Sequence, residues 1–519
     1  GATVDIARAL LQVARASQEG KRRHTRRPPS DLPGMNARRR CAFVTLLLAS
    51  CTHAPPAPRP PAERIPCSIE PLPVASLAPP NEEPPPKEAP LAGHLEAVAD
   101  LPLHRVCDLT PFQGRLFAAL ARRPLGSDGA VVAEYAPETQ KVSVAFDWNR
   151  RGEPTEGGGG GQGFLRVRAI GDRLYVPDAD PPYGGLGVVD HGTEGYVFLS
   201  DAAGIFPPPR APHARIPAGT AVLPRAYHVF DVAEFRGVLY ASTGAVPPTE
   251  PAWTGSAPGA LLAAPTTPST GTSRWTFALG YPRRAKKGTY IRARRFLTAF
   301  GGSGRTRTYR YEDGVWRLTY LTVFRDELYA GIQDYDGRSS ADFIRVAPPE
   351  GRSTLQDDDA VPVRVTTGGA AATLRWYVDA FAKTSALYWI SLGGGDGGTL
   401  RKSTDGRTWA TITLPASLGR PTDVRRVFRT ATSPGHLLVL GENGIAELSD
   451  GEATLVSAVD DQLLEKTYDK KQKKNVLKSP FEISDLLCVS PLAELDGVVY
   501  LGAALGTKAR LFRLALDRR

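Results

Sequence analysis

The sequence predicts an all-β fold in which one antiparallel unit is repeated around an axis, and three observations support this. First, the segment YLTVFRDELYAGI (320–332) returns in variants: LTPFQGRLFAAL (109–120), RAIGDRLYVPD (168–178), HVFDVAEFRGVLYAST (228–243), RARRFLTAFGG (292–302), VDAFAKTSALYWISL (378–392), TATSPGHLLVLGE (430–442) and PLAELDGVVYLGAAL (491–505). Each is an apolar run, a tight polar or Gly-containing turn, and a second apolar run carrying Leu-Tyr or a relative of it, which is the signature of a β-hairpin. Second, a different hairpin follows in RKSTDGRTWATI (401–412), YRYEDGVWRL (309–318), ELSDGEATLV (447–456) and LSDAAGIF (199–206). Asp-Gly marks such turns because Gly accepts positive φ and Asp bonds its own backbone. Third, the marker positions Leu116, Leu174, Leu239, Leu297, Leu328, Leu387, Leu437 and Val499 mostly stand far enough apart for a four-stranded unit plus loops. Two hairpins in series make a four-stranded meander, and its radial repetition is a β-propeller. Eight blades are expected, with seven as the alternative if residues 290–318 only embellish a neighbour.

Taken in order, the chain opens on a leader. The only Met is Met35, read here as the translation start, with residues 1–34 an upstream in-frame translation. Arg38, Arg39 and Arg40 precede an apolar run from Cys41 to Leu48, the pattern of a secretory signal too short to span a bilayer stably. Residues 35–50 are therefore assigned as signal peptide. The formal charge of +10 is concentrated in this leader, where KRRHTRRPP (21–29) lies, so the basic balance gives no reason to expect a nucleic-acid partner.

Leu48-Ala49-Ser50-Cys51 resembles the lipobox of bacterial lipoproteins. The resemblance implies lipidation of Cys51, removal of everything before it, and a protein of the cell envelope. Thr52, in the place where Asp retains such proteins at the inner membrane, implies the outer membrane. Fourteen of residues 54–90 are Pro, a composition that favours extended polyproline II and suits a tether. Residues 51–93 are thus the lipidated Cys and linker, and 94–519 the propeller, with HLEAVADL (94–101) expected to supply the fourth strand of the last unit and close the ring.

Within the repeats, Ser403-Thr404-Asp405-Gly406-Arg407-Thr408-Trp409 resembles the Asp box of sialidase-like propellers, one residue shorter than the usual spacing. That resemblance implies a folding element in which Asp and Ser tie the turn and Trp packs beneath it; Trp409 and Trp316 are core candidates. The segment from Asp172 to Thr243, especially DRLYVPDADP and HVFDVAEFRGVLYA, is similar to bacterial propellers without assigned activity and implies no catalytic residues.

Chemistry is less legible. Of the five Cys, Cys67, Cys107 and Cys488 follow the anchor; Cys107 and Cys488 fall in units that are neighbours in a closed ring, so a disulfide between them would staple closure. No Cys-x-x-Cys or His/Cys cluster points to zinc, and no cofactor or metal is expected. A sialidase-type hydrolase needs three Arg on a carboxylate, a Tyr nucleophile with its Glu, and an acidic partner. Ala214-Arg215-Ile216-Pro217 lacks that family's leading aromatic residue. Arg292 and Arg294 alternate onto one strand face beside Tyr290 and are the candidate contacts to an anionic ligand. Asp178, Asp180, Asp334, Asp336 and the run Asp357–Asp359 are weaker acidic candidates, and His228, Asp231 and His191 are candidate acids or bases. The insertion EKTYDKKQKKNVLKS (465–479), with six Lys, reads as an exposed loop between the last two units. The expected function is a membrane-anchored, monomeric binding or scaffold module for a glycan or envelope protein; the alternative is a propeller enzyme acting on glycans or another anionic polymer.

Overall fold

The computed structural model describes residues 91–122, 129–148, 163–178, 195–207, 220–244, 259–280, 315–334, 341–366, 374–483 and 488–516, apart from short internal stretches, together with 291–292 and 308–309. The chain divides into two compact units, Gly1–Pro85 and Pro86–Arg519, and the described residues belong to the second.

The second unit is all-β and propeller-like. Its sheets are built from antiparallel meanders: Arg105–Phe112 to Lys141–Asp147, Arg168–Ile170 to Ala221–Leu223, His228–Phe235 to Thr276–Gly280, Val315–Phe324 to Ala360–Val363, Leu374–Asp379 to Ala410–Ile412, and Pro421–Val427 to Glu452–Ala458. A further sheet runs from Leu492–Leu495 through Val498–Gly502 and Ala509–Leu516 to Gly93–Leu101, which pairs with Ala509–Leu516 across the two ends of the chain. The first strands of successive sheets touch one another in a closed circuit, so they line an axis. The Leu-Tyr strands lie second from it and are almost wholly buried.

Turn chemistry follows the sequence. Gln113-Gly114, Arg236-Gly237 and Asp496-Gly497 all have positive φ at both residues, the conformation that a two-residue hairpin needs to match strand twist. Arg325-Asp326 holds the same conformation without a Gly. The core is divided into clusters shared by neighbouring sheets. Phe146, Trp148, Phe164, Phe198 and Phe206 fill one such junction, and Tyr329, Phe343 and Trp389, with Trp376 and Trp409 against them, fill another.

One expectation changes. The end of the 290–318 stretch belongs to the strand of the following unit: Val315–Phe324 is a single strand paired with Glu327–Asp334. Thr319-Tyr320 contains no turn residue able to reverse the chain, and the register shift between Leu318 and Leu321 takes up the surplus as a bulge. Most of the 292–302 segment counted as an eighth unit lies outside the described residues; Ile291–Arg292 pairs with Thr308–Tyr309 in a two-stranded sheet.

Candidate functional site

Bulges shape the axis. Register shifts fall between Val106 and Asp108, Val229 and Asp231, and Pro421 and Asp423, and a bulge re-aims the side chain that follows it. Each of these Asp then accepts a backbone N–H at the neighbouring meander around the axis: Val167 to Asp108 at 3.2 Å, Leu321 to Asp231 at 2.9 Å and Leu492 to Asp423 at 2.9 Å. The Asp side chains therefore tie the sheets together as well as charging the axis.

Guanidinium groups answer them. Arg166 donates to Asp108 at 3.0 Å and stands 3.7 Å from Asp231. Arg168 holds Asp231 in a fork of two bonds, 2.7 and 2.6 Å. Arg375 lies 3.6 Å from Asp108 and 3.5 Å from Asp423. Tyr320, in its own bulge, sits between them, with the Arg166 guanidinium 4.3 Å and the Arg375 guanidinium 6.0 Å from its ring centroid. Cation–π contact of this kind gains strength when both groups are desolvated. The three Asp thus meet three Arg, and the cluster is neutral as a group.

Burial would discharge an isolated ion, and here the partners prevent it. Burial pushes the Asp231 carboxyl up, but Arg168, Arg166 and the Leu321 N–H together hold it below the ordinary carboxylate value. Burial likewise opposes the charge of Arg166, and Asp108 and Asp231 more than offset it. The Tyr320 phenol is pushed up to about 12 by burial against the pull of both Arg, so it is neutral at ordinary pH. Neighbouring His228 and Arg317 meet at 2.9 Å, and Arg317 also donates to Gln333 at 3.0 Å. A guanidinium only donates, so His228 Nε2 accepts and its proton is on Nδ1.

Among the residues singled out in the sequence, the structure brings His228 and Asp231 to the axis. Arg292 is placed by its backbone pairing with Thr308; its side chain, and Arg294, Tyr290, Asp180, Asp336, His191, the Asp334 and Trp316 side chains and Cys51, lie outside the described residues. Asp178 is buried where its carbonyl accepts the Val229 N–H. Asp357 accepts the Gly280 N–H at 2.9 Å, and Asp359 pairs with Arg352 and the Gln356 N–H, so both have structural partners. Among the described residues no group of three or more His, Cys, Asp or Glu could hold a metal. Cys107 and Cys488 form a disulfide with Cα atoms 4.5 Å apart, at the junction where the Val106 N–H also donates to Ala503.

Sequence reasoning missed Asp108, Arg166, Tyr320, Arg375 and Asp423. A signal existed: Asp108, Arg166, Asp231 and Tyr320 each stand eight residues before the marker Leu of their repeat. Arg375 and Asp423 escape that count because the turns after them are longer.

In the turn at 403–409, Asp405 Oδ1 accepts the N–H groups of Arg407 and Thr408, both at 2.7 Å, and Ser403 Oγ accepts that of Gly406 at 2.8 Å. The N–H donors of Thr408 and Arg407 hold the Asp405 carboxyl far below the usual range. Trp409 packs against Trp389 and Phe343 at ring distances of 5.4 and 5.7 Å.

No family model matches the sequence, and no curated protein is similar to it. Among solved structures the chain is similar to a streptogramin B lyase at 9% identity, covering 81% of this chain and 97% of that one with a TM-score of 0.41. It is similar to the periplasmic gluconolactonase of Pseudomonas aeruginosa at 12% identity, covering 78% and 99% with a TM-score of 0.37. A third likeness is to the α-L-arabinanase of Penicillium chrysogenum complexed with arabinobiose, at 9% identity, 83% and 98% coverage and a TM-score of 0.33. At such identities and scores these likenesses transfer neither an activity nor a residue role to this chain.

Proposed function

We propose that this chain is an exported lipoprotein, anchored to the outer membrane through Cys51, whose propeller of seven blades serves as a binding or scaffold module. One observation carries the functional part. The Arg, Tyr and Asp side chains that an axial active site would offer to a substrate are turned on one another: Arg166, Tyr320, Arg375 and Asp231 are all buried, and Arg168, though partly exposed, is held by Asp231. Binding then falls to the faces and rims of the ring. The blade count is supported by the closed circuit of first strands and by core clusters that each bridge two neighbouring sheets. Export is supported by the Cys107–Cys488 disulfide, a bond that persists in oxidising compartments. The bonds around Asp405 support reading 403–409 as an Asp box.

Within this reading, Arg292 and Arg294, with Tyr290 beside them, are the contacts assigned to an anionic glycan. The test is an array of acidic and neutral glycans assayed for both retention and turnover. Retention without turnover, weakened roughly tenfold or more by Arg292→Ala with Arg294→Ala, is the expected result, since charge-assisted bonds are the strong ones. Turnover that Tyr320→Phe abolishes without lowering the melting temperature would overturn it. Intact-mass analysis of membrane-extracted protein tests the anchor, the expected species beginning at a lipidated Cys51.

A further inference from the structure

The insertion between the last two sheets is not a loop. Glu465–Asp469 and Lys474–Lys478 pair as a separate two-stranded sheet with Glu465 opposite Lys478, Lys466 opposite Leu477, Thr467 opposite Val476, Tyr468 opposite Asn475 and Asp469 opposite Lys474. Side chains of a strand alternate between faces, and directly opposed residues share one. Lys466, Tyr468, Asn475 and Leu477 therefore occupy one face, and all four are exposed. Glu465, Thr467, Asp469, Val476 and Lys478 occupy the other and are half-buried.

This register sorts the charges. Both carboxylates of the hairpin lie on the half-buried face, each directly across from a Lys, Glu465 from Lys478 and Asp469 from Lys474, while Lys478 also pairs with Glu482. No carboxylate of the hairpin shares the outward face. There Tyr468 is 58% exposed and Leu477 64% exposed, with Lys466 beside them and exposed Lys473 at the turn. We infer that this outward face docks on an anionic lipid surface, with Tyr468 and Leu477 entering the headgroup region and Lys466 and Lys473 meeting lipid phosphates.

Three chemical features favour lipid over another polyanion. A Tyr is stable where one end of its ring is apolar and the other wet. Lys stems cover apolar surface while their ammonium groups stay in water. Leu477 gains nothing from a phosphate chain or an acidic peptide in solution, but it gains from leaving water, and the leaflet supplies both that and the negative potential.

The experiment uses the proposed mature chain, residues 51–519 with Cys51→Ser, so that neither an acyl group nor the basic, apolar leader carries it to a bilayer and the result is independent of the proposed anchor. Co-sedimentation is measured with phosphatidylcholine vesicles containing phosphatidylglycerol as the anionic component, and with pure phosphatidylcholine vesicles. Binding to the mixed vesicles alone is expected. Each Lys near a charged leaflet contributes about fivefold, so Lys466→Gln with Lys473→Gln should weaken binding roughly twenty-five-fold. Tyr468→Ser with Leu477→Ser should weaken it about tenfold or more, with the loss persisting at high salt. Absence of binding to the anionic vesicles overturns the inference. So does full binding by the Tyr468→Ser, Leu477→Ser variant, or retention on a soluble polyanion such as heparin without vesicle binding. Unchanged melting of each variant keeps these outcomes separate from misfolding.

Discussion

The axis and the hairpin at 465–478 both set basic groups beside an aromatic ring, and they resolve the charge in opposite ways. At the axis, Arg166, Arg168 and Arg375 are met by Asp108, Asp231 and Asp423, drawn from sheets far apart in sequence. On the hairpin, the only carboxylates are folded onto the opposite face, leaving Lys466 with Tyr468 and Leu477. The difference teaches that a count of basic residues does not separate a structural cluster from a surface for a partner. What separates them is where the register puts the carboxylates, because a buried ion is tolerated only when paired.

The largest break in this comparison comes from removing one axial carboxylate. Asp231→Ala leaves Arg166 and Arg168 facing each other without it and frees the Leu321 N–H. Breaking a buried pair in this way costs about 3–5 kcal/mol, and urea denaturation should show a loss of that size. The wild type should carry the same dependence in its acid limb. The Asp231 carboxyl is held below its ordinary value in the folded chain, so its contribution is fully present above the unfolded value of about 3.9 and is lost as pH falls below it. A melting temperature indifferent to pH between about 5 and 2.5 would show that Asp231 is not held in this way.

Next in size is the covalent closure. Cys107 and Cys488 are 381 residues apart in sequence, so the bond restricts the unfolded chain over nearly the whole ring. Cys107→Ser with Cys488→Ser should cost about 2–4 kcal/mol. The pairing of Gly93–Leu101 with Ala509–Leu516 closes the same sheet without it, so the variant should fold and melt cooperatively at a lower temperature. Two separate transitions would show instead that the ring depends on the disulfide for its cooperativity.

A smaller effect comes from the buried phenols of the ring. Tyr240, Tyr320, Tyr377 and Tyr388 are each pushed up to about 12, chiefly by burial. Unfolded phenols ionise near 10, so the stability these groups contribute is complete below that value and is lost as pH rises through about 12. Melting between about pH 9 and 11 should fall less steeply for Tyr320→Phe than for the wild type.

How much of this was legible in the sequence depends on the range over which each feature is determined. Hairpins are local: Gln113-Gly114 and Asp496-Gly497 announce their turns in adjacent residues, and the strand at 93–101 and the nearness of Cys107 to Cys488 follow once a ring is assumed. The axial network is not local. Asp108 meets Arg166 and Arg375 only because bulges and ring closure bring three sheets to one line, and nothing near Asp108 in sequence predicts those partners. Arg292 and Arg294 drew attention as part of a dense basic run, whereas Arg166, Arg168 and Arg375, which reach the axis, sit within short apolar stretches that do not stand out by charge. The hairpin was misread as a loop because its strands are short and Lys-rich, composition that weakens a strand assignment, while its register pairs opposite charges across the strands.

The smallest effect should come from the hairpin itself, and its smallness is the sharpest form of the comparison. Its two strands pair with each other and join no other sheet, and its outward residues are exposed. Its anchorage to the ring runs through Leu463 and Phe481 in the core shared by the last two sheets, and through Lys478 with Glu482. Substituting Lys466 and Lys473 by Gln removes charges that have no carboxylate of the hairpin directly across from them, so stability should change by no more than about 0.5 kcal/mol. A slight gain is the expected sign, because separating like charges at one edge relieves repulsion. Axial substitution of the same chemical kind, Arg166→Gln, should instead unfold the ring at a much lower temperature, since it strips two buried carboxylates of one partner. Thermal melts of the two variants side by side decide the matter. If the double Lys variant loses as much stability as Arg166→Gln, the hairpin is part of the fold and its outward face is no free surface.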